Sequence, residues 1–307
     1  MRRTLDILLL LSAVALLSSC AGRTGAGAVQ KEARPFPAVA VPSVIDEPGE
    51  RLEYVLNHYW DDFEGVPADE LEKAMADFTG LMDQAPLAVS QKAMEVLFDR
   101  ICEAERSDTS AHHYVLMTQM VSKYLYDPNS PVRNEDYYLP FVKLMAVSPL
   151  TSEDIRPAYR YEAESCSICQ AGTPAPDFTM RTASGRDMRL YDIQSRYTLL
   201  FFSNPGCEAC RTIIDEICAV TDMDRMISDG EVSVVNVYID EDLDAWKGYL
   251  HNYPESWISA YDPDGVIRGR RIYDVRAIPS LYLLDRDKII LMKDAPTGRV
   301  LARIINQ

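Results

Sequence analysis

The chain has 307 residues, of which 47% are hydrophobic and 25% are charged, and its formal net charge at pH 7 is −16. This composition is typical of a globular protein with enough apolar residues to build sizeable cores. The excess of acidic residues argues against nucleic acid and against an anionic membrane surface as binding partners.

The N-terminus has the pattern of an export signal. Two arginines precede an apolar run over 7–17, which is too short to span a bilayer as a mature helix but suits a signal peptide. The run ends in the sequence LSSC at Cys20, which resembles the lipobox of bacterial lipoproteins. This resemblance implies a signal peptide over 1–19 and lipidation of Cys20; the alternative is an ordinary signal peptide with a chance cysteine. We therefore expect a protein anchored by lipid to a membrane of the cell envelope and facing the periplasm.

Two further segments precede the region that carries the chemistry. Residues 20–50 are rich in Ala, Gly, Pro and Val without a sustained period, which predicts a flexible tether. Over 51–165 apolar residues recur at helical spacing, which predicts an all-α domain of five or six helices. His112 and His113 are adjacent and would point about 100° apart on a helix, so we expect no histidine-built metal site there.

The pattern changes from about Gly172, and we take 166–307 as the second domain. The sequence predicts a hairpin turning at Ser184-Gly185, a buried strand in YTLLFFSN, a helix over 207–227, a second buried strand in VSVVNVYID and a second helix in LDAWKGYLHNY. Two strands joined at Arg286-Asp287 and a closing helix follow. The inner face of the helix over 207–227 is predicted to carry Cys218 beside three isoleucines. This order indicates a mixed central sheet flanked by helices, C-terminal to the all-α domain.

A pair of cysteines stands where the first buried strand meets its helix. Cys207 and Cys210 enclose the sequence CEAC, and such a pair can be a redox couple, half of a zinc site or a structural disulfide. At a helix start, unpaired N–H groups and the helix dipole favour an anion, which lowers the pKa of the Cys207 thiol. Residues three apart share a helix face, so a more buried Cys210 can resolve a mixed disulfide formed on Cys207.

Four features in order make this region similar to a known family. The sequences GTPAPDF and CEAC, the strand after the helix and AIPSLYLLD resemble the TlpA-like thioredoxin-fold thiol–disulfide oxidoreductases of bacterial envelopes. The helical domain resembles an uncharacterised domain that precedes such proteins in Gram-negative lipoproteins. The resemblance implies a thioredoxin-like fold, a protein disulfide as substrate, an upstream thiol reductant and no cofactor.

The resemblance also implies a substrate-binding position outside the cysteine pair. Pro279 stands where the family carries its cis-proline, so the bond from Ile278 is expected to be cis. X–Pro bonds are cis in only about 5–6% of cases, so this expectation rests on the fold. The backbone at Ile278 and Pro279 would then pair with the substrate chain.

The chain departs from the family pattern near the cysteines. Most relatives carry Trp before the first cysteine, where this chain has Gly206, and thioredoxin carries a buried acid at the position of Phe201. Asp240 and Glu241, at the end of the next predicted strand, are substitutes for that acid, or are simply solvated loop charges. Glu208 places a carboxylate beside Cys207 and disfavours a second negative charge there, which makes the couple less oxidising. We therefore expect a reductase or isomerase rather than a disulfide-forming oxidase.

Two other functions are weighed against the oxidoreductase. Peroxidase activity is disfavoured because Asn204 and Leu200 stand where peroxiredoxins need a Pro and a Thr or Ser before the cysteine. The missing Trp and the missing acid favour a different alternative, in which the chain is a non-enzymatic lipoprotein that binds a partner and uses the thioredoxin-like domain as a scaffold.

A second pair, Cys166 and Cys169, lies between the two predicted domains. Zinc bound by this pair together with Cys207 and Cys210 is conceivable, but the 37-residue gap is longer than usual zinc-ribbon spacing. A structural or incidental disulfide is the simpler alternative in an envelope compartment. The third is a relay, in which this candidate second redox pair exchanges with Cys207–Cys210.

Overall fold

The computed structural model describes residues 34–306. The predicted signal peptide over 1–19, the predicted lipidation site Cys20 and the first part of the predicted tether lie outside the described residues. Within 34–306, none of the helices combines the length and the apolar character that crossing a membrane requires.

The described part of the predicted tether contacts the helical region. No helix or strand forms over 34–47, but the Phe36 ring lies 5.0 Å from the ring of Tyr59 and 5.2 Å from that of Trp60. Arg34 also donates to the carbonyl oxygen of Glu64 at 2.8 Å. The prediction of a flexible tether is therefore corrected for this part, because a packed aromatic ring ties the chain to the core beneath it.

Six α-helices form the N-terminal region, which confirms the predicted all-α character. Their bounds are α1 Pro48–His58, α2 Ala68–Met82, α3 Leu87–Ser107, α4 His113–Leu125, α5 Glu135–Val147 and α6 Arg156–Cys166. Asn134 caps α5, since its side-chain oxygen accepts from the amides of Asp136 and Tyr137. The helices bury one shared apolar cluster, and Cys166 belongs to it. Cys166 therefore ends a helix and is not part of an irregular linker.

The C-terminal region is a seven-stranded mixed sheet in the order β2-β1-β5-β4-β3-β6-β7. Its strands are β1 Thr179–Thr182, β2 Asp187–Arg189, β3 Tyr197–Phe202, β4 Val232–Tyr238, β5 Ile258–Tyr261, β6 Ser280–Leu284 and β7 Ile290–Met292. Its helices are α7 Glu208–Cys218, α8 Met223–Ser228, α9 Leu243–Tyr249, α10 Val266–Gly269 and α11 Thr297–Ile305. β3, β4 and β5 run parallel, and the other pairings are antiparallel.

Strand β3 lies between β4 and β6 and is buried at every position, as predicted. Leu199 and Phe201 face one apolar cluster, while Leu200 and Phe202 face a second cluster on the other side of the sheet. The chain leaves the carboxyl end of β3 and enters α7. The residues between β3 and α7 therefore lie at the carboxyl end of a central strand whose sheet is covered on both faces.

Two details differ from the predicted elements. The single helix predicted over 207–227 is two helices, α7 and α8, separated by a turn at 219–222. Cys218 is the last residue of α7 and is exposed, because the face that Ile214 and Ile217 bury does not extend to it. The sequence reading also missed β5 and α10, which are only four residues long each.

Candidate active site

The structure joins Cys207 and Cys210 in a disulfide, with their Cα atoms 5.2 Å apart. Cys207 is the N-cap residue of α7, and its sulfur accepts from the Cys210 amide at 3.1 Å. The two thiols differ in access, since Cys207 is half-buried and Cys210 is 1% exposed. A substrate can therefore reach Cys207 first, while Cys210 lies one turn further into the helix.

The turn before Cys207 depends on glycine. Gly206 has a φ of +73°, in the left-handed region that residues with a Cβ rarely adopt. A Trp at this position, as in most relatives, would be strained in this conformation. Glycine at this position provides no side chain over Cys207, and Glu208 in the first turn of α7 is exposed beside it.

Two opposing electrostatic effects act on the Cys207 sulfur. It lies at the N-terminal end of α7, where free amides favour a thiolate, and the Cys210 amide already points at it. The Glu208 carboxylate is next to it in sequence and disfavours the same charge. In the reduced protein these two effects would act on the Cys207 thiolate in opposite directions.

Asp240 supports the active-site turn through its side chain. Its carboxylate accepts from the side-chain amide of Asn204 at 2.5 Å and pairs with Arg268 at 2.6 Å. Asn204 stands three residues before Cys207, so Asp240 ties the segment after β4 to the turn that precedes Cys207. Glu241 is exposed.

A buried polar network lies under this turn, and the sequence reading missed it. Asn236 on β4 is the register partner of Phe201, the residue at the position of thioredoxin's buried acid. Ser203 donates to the side-chain oxygen of Asn236 at 2.5 Å and contacts the Tyr253 hydroxyl at 2.9 Å. All three polar residues are buried. The one available signal was the lone Asn in the otherwise apolar run VSVVNVY.

The peptide bond from Ile278 to Pro279 is cis, as the family resemblance implied. Ser280, the next residue, begins β6 and pairs with Phe202, so Pro279 lies beside the end of β3 that leads to Cys207. Ile278 and Cys207 pack against the same apolar cluster. The structure thus places the predicted substrate-binding residues Ile278 and Pro279 at the same end of the sheet as the cysteine pair.

Cys166 and Cys169 are free thiols, and both are buried. Burial raises the pKa of both thiols, that of Cys169 to about 12. Cys166 packs in the helical core, while Cys169 packs in the sheet region and donates to the carbonyl oxygen of Ile272 at 3.2 Å. The two thiols are not joined in this structure, so it does not agree with the disulfide alternative. The relay hypothesis assumed a mobile linker, whereas both side chains are packed in apolar cores.

The described residues contain no group of three or more His, Cys, Asp or Glu side chains arranged to hold a metal ion. Cys207 and Cys210 are bonded to each other, and Cys166 and Cys169 face different cores. The residues present thus do not fit the zinc alternative.

Comparison with known proteins agrees with this geometry. Residues 171–292 match the model of the AhpC/TSA family, and residues 18–166 match a domain of unknown function, DUF5106. A crystal structure of a thioredoxin-like protein from Bacteroides caccae is 33% identical, covers 89% of this chain and 99% of its own, and superposes with a TM-score of 0.74. The chain belongs to the thioredoxin-like family of thiol–disulfide oxidoreductases.

Other similar proteins match a smaller part of the chain. The thioredoxin-like protein YneN of Bacillus subtilis is 27% identical over 124 residues, which are 39% of this chain and 69% of YneN. The C-terminal domain of an uncharacterised Bacteroides fragilis protein is 38% identical over 45% of this chain and 99% of its own, with a TM-score of 0.43. The Bacteroides caccae structure and the AhpC/TSA match confirm the predicted fold, a thioredoxin-like sheet behind a helical domain, and the predicted oxidoreductase class.

Proposed function

We propose that this thioredoxin-like protein reduces or isomerises protein disulfides through Cys207 and Cys210. The observation that carries the proposal is the unequal access of the two sulfurs, half-buried at the helix start and 1% exposed one turn later. A couple of this kind needs an outer thiol that attacks and an inner thiol that resolves.

Each turnover moves two electrons. The Cys207 thiolate attacks one sulfur of the substrate disulfide, forming a mixed disulfide and releasing the other substrate sulfur as a thiolate, which takes up a proton. Cys210 then loses its proton and attacks the Cys207 sulfur. The second substrate thiol leaves, and the Cys207–Cys210 disulfide remains. An upstream dithiol reductant exchanges with that disulfide and becomes oxidised in turn.

Ile278 and Pro279 are proposed to bind the substrate chain beside the reacting sulfurs. Their position at the end of β3 and the packing of Ile278 in the same cluster as Cys207 support this role. Glu208 is proposed to set the direction, because its carboxylate disfavours the Cys207 thiolate and so favours a reducing couple.

The decisive experiment is reduction of insulin disulfides by the chain from Ala21 onward, with dithiothreitol as the reductant. We expect catalysed precipitation of insulin, loss of catalysis in Cys207→Ser, and retention in Cys218→Ser, which removes an exposed thiol outside the pair. Equal rates for the wild type and Cys207→Ser would overturn the proposal and favour a non-enzymatic binding module.

We further propose that the protein is lipid-anchored through Cys20 at the cell envelope, facing the periplasm. The support is the sequence pattern over 1–20, in which a basic start and a short apolar run lead to LSSC. Labelling of bacteria with radioactive palmitate should mark the wild type and leave Cys20→Ser unlabelled. Incorporation into both would contradict this anchor.

A further inference from the structure

The segment that leads to Pro279 is held by the helical region. We define the cis-proline loop as residues 270–279, which have no helix or strand. Arg271 donates to the Ser165 hydroxyl at 2.7 Å, and the carbonyl of Ile272 accepts from the Cys169 thiol at 3.2 Å. Arg276 donates twice to the carbonyl of Tyr126 at 3.1 Å. Contacts from the ends of α4 and α6 and from the segment after α6 thus fix both ends of the loop.

Arg276 is the strongest of these attachments. Its guanidinium lies 3.9 Å from the centroid of the Tyr126 ring, which itself stacks on Tyr138 at 4.9 Å. The same guanidinium pairs with Glu135 at 2.6 Å. Arg276 stands two residues before Ile278, so a planar, multiply bonded side chain fixes the backbone next to the substrate-binding residues.

Glu135, the first residue of α5, joins two parts of the sheet region. It is 2% exposed, and its second oxygen pairs with Lys293 at 2.6 Å. The Lys293 ammonium also donates to the carbonyls of Ser165, Cys166 and Ile168 at 3.1, 3.3 and 2.6 Å. A buried carboxylate with two cationic partners is costly to disturb, because removing it leaves the buried Lys293 ammonium without the carboxylate it pairs with and leaves Arg276 only Asp274 and Asp294, both at 3.9 Å.

From these contacts we propose that Glu135 is a positioning residue for the active site. Glu135 pairs with Arg276, whose guanidinium lies over the Tyr126 ring. Through these contacts the helical region holds the cis-proline loop in the conformation that accepts a substrate backbone. This inference rests on the proposed function for its catalytic consequence, whereas the restraint on the loop itself can be measured without turnover.

The chain offers a matched control at the same boundary. Asp83 follows α2 and pairs with Arg299 of α11 at 2.5 Å. This ion pair joins the same two regions but does not touch residues 270–279. Asp83→Asn therefore removes one contact between the regions and leaves the restraint on the loop intact.

The first measurement is amide hydrogen exchange in the chain from Ala21 onward. Glu135→Gln keeps the shape of the side chain and removes its charge, so exchange at 272–278 should quicken by about tenfold or more. Asp83→Asn should leave those amides at the wild-type rate. Unchanged exchange in Glu135→Gln, or equal acceleration in both variants, would overturn the proposal.

The second measurement separates substrate positioning from chemistry. In Glu135→Gln, KM for insulin should rise about tenfold while the alkylation rate of reduced Cys207 by iodoacetamide stays near that of the wild type. A rise in KM accompanied by an equally large fall in the alkylation rate would indicate general damage to the site and contradict a positioning role. If the wild type itself fails to reduce insulin, the proposed function fails, and the exchange data still decide whether Glu135 restrains the loop.

A second variant covers the case in which Glu135→Gln does not fold. Tyr126→Leu removes the ring under Arg276 and leaves the Glu135, Arg276 and Lys293 charges paired. We expect the same faster exchange at 272–278 and the same rise in KM, each smaller than in Glu135→Gln. Wild-type exchange rates at 272–278 and a wild-type KM in Tyr126→Leu would show that the Tyr126 ring does not help to hold the loop.

Discussion

The backbone amide of Cys210 donates to the sulfur of Cys207, one helical turn earlier. This contact ties the reactive sulfur to the start of α7 and keeps the second thiol behind it, with 1% of its surface exposed. In the proposed mechanism, the order of attack and resolution therefore follows from where the helix begins.

The first prediction uses that order. In Cys210→Ser, the Cys207 thiolate can attack a substrate disulfide but nothing resolves the product, so a mixed disulfide should accumulate. In Cys207→Ser the buried Cys210 should trap little. Mass spectrometry after incubation with oxidised glutathione and acid quenching measures both adducts. Equal adduct formation on Cys207 in Cys210→Ser and on Cys210 in Cys207→Ser would contradict the assigned roles.

A second prediction concerns Glu208 in the first turn of α7. Glu208→Gln removes the carboxylate beside Cys207, so the thiolate of reduced Cys207 should be better stabilised and should react faster with iodoacetamide near neutral pH. The couple should become more oxidising. The pH dependence of iodoacetamide alkylation and a redox titration against glutathione measure these changes. Glu216→Gln, an exposed change further along α7, is the control and should move neither value.

The third prediction concerns the buried thiols. Cys166 and Cys169 should resist alkylation in the folded chain, because both are buried and burial raises both pKa values. The exposed Cys218 should label first and serves as an internal reference. Peptide mapping after N-ethylmaleimide treatment, with and without urea, measures the three sites. Labelling of Cys169 at the rate of Cys218 without urea would restore the relay hypothesis.

The fourth prediction follows from Asp294, whose carboxylate lies 3.5 Å from Arg133 and 3.9 Å from Arg276. Burial raises the pKa of this carboxyl to about 6. Between the ordinary value and 6, the folded chain holds a proton that the unfolded chain has lost, so this group lowers stability as pH rises through that window. Relative to Asp294→Asn, the wild type should lose roughly 2–3 kcal/mol of unfolding free energy from pH 4 to 7.

Urea unfolding at several pH values tests the Asp294 prediction. The difference between the two proteins should change mainly below pH 6 and level off above it. Parallel stability curves for wild type and Asp294→Asn would contradict the raised pKa.

Short-range patterns determined most of what the sequence predicted. The fully apolar run predicted β3, and the CEAC sequence predicted the start of a helix, because each depends on neighbours within one or two elements. The cis bond before Pro279 was expected from the family resemblance. The Asn236 network was missed because its members lie 33 and 50 residues from Ser203 along the chain. Contacts of this range depend on strand register, which a single sequence does not display.

The charged residues between the two regions were missed for the same reason. Glu135 and Lys293 are separated by 158 positions and resemble ordinary surface charges in the sequence, yet both are buried. For Cys166 and Cys169 the sequence suggested a contact that the structure does not have, since two cysteines three residues apart resemble a pair. The end of α6 falls between them and directs the two sulfurs into different cores.

The Lys293 ammonium supplies the terminal cap of a helix that belongs to the other half of the molecule. Its bonds to the carbonyls of Ser165 and Cys166 add to the bond that the Ile168 amide makes to the Ser165 carbonyl within the chain. If the two regions were expressed separately, the end of α6 would lose its hydrogen bonds from Lys293, and the Lys293 ammonium would lose its carboxylate partner Glu135. A chimera that exchanges the helical half or the sheet half would therefore keep these contacts only if a cation at position 293 met a carboxylate at position 135.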